Sequence, residues 1–65
     1  MCLARVTMAG QRPGGAAVAT DVAYIRSTEE GLVVTDLLGR TRTVKARIES
    51  IDFIESAVVL RRRRN

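Results

Sequence analysis

From Cys2 to Met8 the even positions Cys2, Ala4, Val6 and Met8 alternate with Leu3, Arg5 and Thr7, the two-residue period of a strand with one buried face. The spacing predicts a first strand that begins at Cys2. Gly10 to Gly15 reads Gly-Gln-Arg-Pro-Gly-Gly, a run of turn formers that predicts a loop with little order. Val22 to Thr28 and Leu32 to Leu37 are two further β-rich runs joined by Glu29-Glu30-Gly31. They predict a hairpin in which Gly31 supplies the positive φ of a tight connection. Leu38-Gly39-Arg40 forms the next turn, and Thr41 to Ile48 follows with Val44, Ala46 and Ile48 on one face and Thr43, Lys45 and Arg47 on the other. This is the cleanest alternation in the chain. A short apolar segment within Glu49 to Ser56 and a last strand from Ala57 to Leu60 complete the pattern.

Val, Ile and Thr number 8, 4 and 6, and they cluster in these short runs, whereas no amphipathic helix competes with them. Five or six short strands without room for a helix predict an all-β chain. The expected architecture is a small, twisted antiparallel barrel of the SH3-like kind, with a β-sandwich formed across a dimer as the alternative. Tyr24 and Phe53, the two aromatic residues, are expected in its core.

At 65 residues the chain supports one domain with a marginal core, so a second subunit or a bound metal is expected to supplement it. The apolar fraction of 46% points the same way, because one small core cannot easily enclose it. A homodimer is the expectation. The net charge of +4 comes entirely from Arg61 to Arg64, since removing them leaves 7 basic against 7 acidic residues. The chain therefore divides into a neutral barrel domain over 1–60 and a basic tail over 61–65, expected to be solvated and at most a weak, salt-sensitive contact for phosphates or an acidic partner.

The longest uncharged stretch, Pro13 to Thr20, is eight residues, far short of a bilayer span, and no signal-peptide pattern opens the chain. One cysteine forms no internal disulfide, which makes a reducing, cytoplasmic setting the expectation.

Most catalytic chemistries lack their parts. Cys2 has no His anywhere in the chain to act as its base, so thiol protease chemistry is excluded. Glu29 with Glu30, and Asp52 with Glu55, sit at turns and read as surface charges rather than an acid and base pair. Gly14-Gly15 lacks the spacing of a phosphate-cradling loop. Arg5, Arg42, Lys45 and Arg47 would make a basic strip if neighbouring strands presented them together, yet two rings are few for binding single-stranded nucleic acid. The chain reads as a binding protein rather than an enzyme.

Cys2 is then the informative residue. A thiolate is a soft, strong ligand, and at position 2 it lies beside the terminal nitrogen. With Met1 removed, the α-amino nitrogen and the thiolate of Cys2 close a five-membered chelate ring; with Met1 retained, a backbone amide nitrogen is available. Two chains about a twofold axis would offer two sulfurs and two nitrogens, a set suited to square-planar Ni(II) or Cu(II) and compatible with Zn(II). The alternative is that Cys2 is a small buried hydrophobe opening a strand.

Beyond these residues, the opening Met1 to Val6 (Met-Cys-Leu-Ala-Arg-Val), the Asp21-Val22 step, Val34 to Gly39 (Val-Thr-Asp-Leu-Leu-Gly) and Ile48 to Ile54 leading to Val58-Val59-Leu60 carry a resemblance. Together they make the sequence similar to the CooT family of small nickel-binding proteins, also catalogued as predicted RNA-binding proteins. The resemblance implies a cytoplasmic homodimer of small SH3-like barrels that binds one Ni(II) per dimer through Cys2 of both chains. It implies a nickel chaperone or carrier role in maturing a nickel enzyme such as carbon monoxide dehydrogenase. An RNA-binding barrel is the alternative function. Pro13-Gly14-Gly15 and the Arg61 to Arg64 run fall outside the family pattern.

Overall fold

The computed structural model describes residues 3–10 and 17–62. Its elements in chain order are β1 (Ala4–Met8), β2 (Ala19–Thr28), β3 (Gly31–Asp36), β4 (Thr41–Val44), β5 (Ala46–Asp52) and β6 (Ala57–Arg62), with no helix among the described residues. Cys2, Gln11 to Gly15 of the expected loop, and Arg63 and Arg64 lie outside the described residues.

The six strands form one sheet in the order β4-β3-β2-β1-β6-β5. β1 and β2, β2 and β3, β3 and β4, and β5 and β6 pair antiparallel, while β1 and β6 run parallel with Val6 opposite Val58 and Met8 opposite Leu60. The parallel pair arises because its strands come from opposite ends of the domain, with everything between them serving as the crossover. The expected antiparallel barrel is thus corrected in two respects. The sheet is mixed, and no ladder between its edge strands β4 and β5 closes it among the described residues. The edges meet covalently instead: β4 ends at Val44, β5 begins at Ala46, and the chain turns the corner at Lys45. What the sequence presents as one strand from Thr41 to Ile48 is two strands at opposite ends of the sheet order.

Gly31 makes that corner possible. It has φ +138°, and a Cβ there would collide with the Val44 carbonyl oxygen and approach the Lys45 Cα to 3.2 Å. Here the absence of a side chain is a packing requirement as well as a conformational one.

The curled sheet wraps its inner face around Val6, Val22, Leu32, Val34, Ala46, Val58 and Leu60, all buried, with Ile25, Val44 and Met8 packed against them. Leu32/Val34 and Val58/Leu60 keep the expected two-residue step. β2 and β5 do not. In β2 the register slips on both sides of Val22, against β1 and against β3, and Asp21 takes φ +54°. Ala19 is cross-strand from core Val6 and Ile25 from core Val34, so the inner face of β2 is read by Ala19, Val22 and Ile25, in steps of three. In β5 a slip between Ile48 and Ser50 sets Ile48 opposite Leu60 but Ile51 opposite Val58. Such bulges bend a strand and increase its twist, which is how a ten-residue β2 follows a small curled core.

β6 continues through Arg62, so two of the four tail arginines are strand residues. The expected core position of both aromatic rings is also corrected: Tyr24 is 56% and Phe53 83% exposed. Tyr24 follows the β2 bulge and pairs with Thr35 on the outer face, and Phe53 lies in the turn after β5, beyond the sheet. A single curled sheet has one inner face, and the aliphatic residues fill it.

Candidate functional site

The register sorts the surface into two ends. At the β1 start, Ala4 pairs with Val22, and the Arg5 backbone N–H donates to the Ser56 carbonyl at 2.8 Å. The chain therefore enters β1 between β2 and the turn joining β5 to β6. At the other end Met8 pairs with Leu60, and the Ala9 N–H donates to the Leu60 carbonyl at 2.6 Å, next to Arg61 and Arg62.

The β1-entry end is apolar. A groove of about 270 Å³ opens there, with Ala4, Val22 and Val58 as floor and Tyr24, Ile51 and Phe53 as rim. Beside it the β5–β6 turn holds Phe53 and Ile54, 83% and 93% exposed. The turn is built by Asp52, whose Oδ1 accepts the backbone N–H groups of Ile54 (2.9 Å) and Glu55 (3.0 Å), and it leaves through Ser56 at φ +54°. Asp52 and Glu55 thus shape and flank a turn, in line with their reading as surface charges. In the sequence Ile54 stands out only as part of a short apolar segment. The available signal was an apolar pair inside a segment with turn chemistry, Asp52-Phe53-Ile54-Glu55-Ser56.

The opposite end is basic. Arg47 lies directly across from Arg61, and Arg62 across from Ala46, with Lys45 at the adjoining corner. The Arg61 guanidinium is ion-paired with Glu49, the bulged residue of β5. The predicted basic strip is only partly assembled. Arg5 is at the apolar end, while Arg42 is on β4, where its Nη1 donates to the Val18 carbonyl at 2.9 Å. A second hollow, about 360 Å³, lies between that contact and Asp36. Asp36 there is engaged with Arg40 (Nε to Oδ2, 2.7 Å) and with the backbone N–H groups of Leu38 and Arg40, both 2.9 Å from Oδ1. Burial pushes the Asp36 carboxyl up, but these hydrogen bonds and the Arg40 charge outweigh it and hold its pKa below the ordinary 3.8.

The described residues contain no cluster of three or more His, Cys, Asp or Glu that could hold a metal ion. No described helix is long and apolar enough to cross a membrane. Cys2, the chain's one cysteine, lies outside the described residues, two positions before the groove residue Ala4 in sequence.

Residues 1–61 match the model of the family described as CO dehydrogenase accessory protein CooT. The chain belongs to the CooT family. The crystal structure of a CooT from Carboxydothermus hydrogenoformans superposes with a TM-score of 0.85 at 22% sequence identity, covering 97% of this chain and all of that one. That likeness establishes a shared fold. No curated protein matches the chain. The CooT match covers the Cys2 end, all of β1 to β5 and β6 to Arg61, and leaves only Arg62 to Asn65 beyond it. CooT is an accessory protein, not a catalyst, and its role fits the maturation of a nickel enzyme.

Proposed function

We propose that this CooT protein is a nickel carrier for the maturation of a nickel enzyme such as carbon monoxide dehydrogenase, working in the cytoplasm as a homodimer that holds one Ni(II) between the Cys2 thiolates of its two chains. The observation that carries the reading is the coincidence of the family match with the donor inventory. The match spans Cys2, and the sequence has no His and no second Cys. The thiolate donor must therefore come from position 2, and a single chain supplies only one thiolate. Nitrogens near the chain termini complete a planar donor set, and the metal is cargo, released to the client.

Nickel titration of the purified protein, followed by sulfur-to-nickel charge-transfer absorption, tests the assignment. One ion per two chains and complete loss of the absorption in Cys2→Ser are expected. Undiminished binding by Cys2→Ser would place the site elsewhere and end the reading.

RNA binding is the second reading, favoured by the facing Arg47 and Arg61 and the adjoining Arg62. Both rings, however, lie at the far end of the molecule from those arginines, so bases bound there would have no stacking platform. Any affinity should come from phosphates alone and fall steeply with salt. RNA binding that persists at physiological salt, without a response to nickel, would favour this reading over the first.

A further inference from the structure

The hollow beside β3 and β4 holds two guanidinium groups that the fold fixes in place. Arg42 pairs across the ladder with core Val34, so it stands on the inner face of the sheet, and its Nη1 reaches the Val18 carbonyl at 2.9 Å. That contact ties the edge strand β4 to the residue before β2, 24 positions away in sequence. Arg40 is fixed as well, through its Nε contact with Asp36 Oδ2 at 2.7 Å. Val18 and buried Val34 supply an apolar floor, and Thr20 and Thr41 line the same hollow. An inward-pointing charge protects an edge strand from unwanted pairing. That role calls for neither a second guanidinium nor two hydroxyls.

We propose that this hollow is a binding site for a small organic monocarboxylate, whose carboxylate meets the guanidinium groups of Arg42 and Arg40 and whose hydrocarbon part rests on Val18 and Val34. The donors suit such a ligand. Among the described residues Arg42 uses one of its N–H groups, on Val18, and Arg40 one of its own, on Asp36. The planar fork of a guanidinium matches a carboxylate through two parallel hydrogen bonds. The charge of the hollow sets the valence of its ligand. Asp36, with its pKa held below 3.8, is an anion across the neutral range, so Arg40 and Arg42 against Asp36 leave a single positive excess. The Asp36 oxygens are engaged within their own turn: Oδ1 accepts the Leu38 and Arg40 backbone N–H groups, and Oδ2 accepts the Arg40 Nε–H. A monoanion matches that excess, whereas inorganic phosphate would bring further charge toward Asp36 and leave the valine floor uncovered. The volume agrees, since about 360 Å³ lies within the roughly 300–1,000 Å³ of small-molecule pockets.

Titration of the metal-free full chain with butanoate at low salt, followed by calorimetry and by the NMR signals of the arginine Nε–H groups and threonine methyls, tests the site. Saturable binding that shifts the signals of Arg40, Arg42, Thr20 and Thr41 is expected. Butanamide, which has the same shape without the charge, should bind at least about tenfold more weakly, and butanoate should weaken by a similar factor in Arg42→Gln. Arg47→Gln removes a cation at the basic end and should leave butanoate affinity unchanged, which separates a defined site from the general attraction of anions to a basic chain. Should Arg42→Gln fail to fold, the contrast between acid and amide and the pattern of shifted signals in the parent decide the question. Binding that does not saturate, equal affinity for butanamide, shifts centred on Arg47, Arg61 and Arg62, or tighter binding of inorganic phosphate than of butanoate would each overturn the proposal. So would a folded Arg42→Gln that binds butanoate as the parent does.

Discussion

Gly31 lies against the carbonyl of Val44, so that the start of β3 and the end of β4 approach more closely than any side chain allows. The contact sits under the Lys45 corner where the sheet's two edges meet, and it makes the sharpness of that corner depend on one hydrogen atom.

Gly31→Ala should therefore be among the most damaging single-methyl changes in the chain. It combines a backbone collision with a φ of +138° that L-residues rarely adopt, and a loss of at least about 2 kcal/mol is expected. Chemical denaturation measures it directly. Gly10→Ala and Gly39→Ala, at positive φ but with open space around them, should each cost less.

Leu60 and Val6 are the most enclosed side chains, both 0% exposed, and they sit on the central parallel pair β1 and β6. Leu60→Ala should cost about 2–5 kcal/mol through lost burial and the cavity left behind. For a domain this small that is a large share of the total stability, so loss of the cooperative thermal transition is the expected readout. Ile48→Ala, on the same face but at the exposed edge, should cost much less.

The Asp36–Arg40 turn gives the fold an acid sensitivity. Because the folded pKa of Asp36 lies below its ordinary 3.8, the carboxylate contributes stability that is fully present above the unfolded value and is lost as pH falls through the folded one. Denaturation midpoints of the parent and Asp36→Asn should differ by a constant amount above about pH 5 and converge at lower pH. A gap that widens below pH 4 would contradict the assignment.

The facing of Arg47 and Arg61 is an unfavourable cross-strand pair, relieved only in part by Glu49. Arg47→Glu should stabilise the β5–β6 hairpin by roughly 0.2–1 kcal/mol, with the gain shrinking as salt rises. Thermal midpoints at low and high ionic strength would show both effects.

If Cys2 holds nickel as a thiolate, binding must expel the thiol proton, so affinity should rise with pH through the neutral range. Calorimetry in buffers of different ionisation enthalpy counts the protons released. Proton-independent binding would argue for carboxylates instead of sulfur.

The sequence by itself determined that the chain is all-β, where most of its turns fall, and that its strong soft donor is confined to position 2. These are local properties: β-branched content, Gly and Asp chemistry at turns, and an inventory of side chains. The core of β3 and β6 was equally legible, because Leu32/Val34 and Val58/Leu60 keep an unbroken alternation. Tertiary structure decided the rest. The bulges in β2 and β5 reset the cross-strand register, so Ile51 comes opposite core Val58 and Tyr24 turns outward against simple parity. The Lys45 corner divides one apparent strand into two, and the parallel pairing of β1 with β6 joins segments some fifty residues apart. Bulges, corners and long-range pairing answer to the curvature of the whole sheet, and a two-residue period carries no record of it.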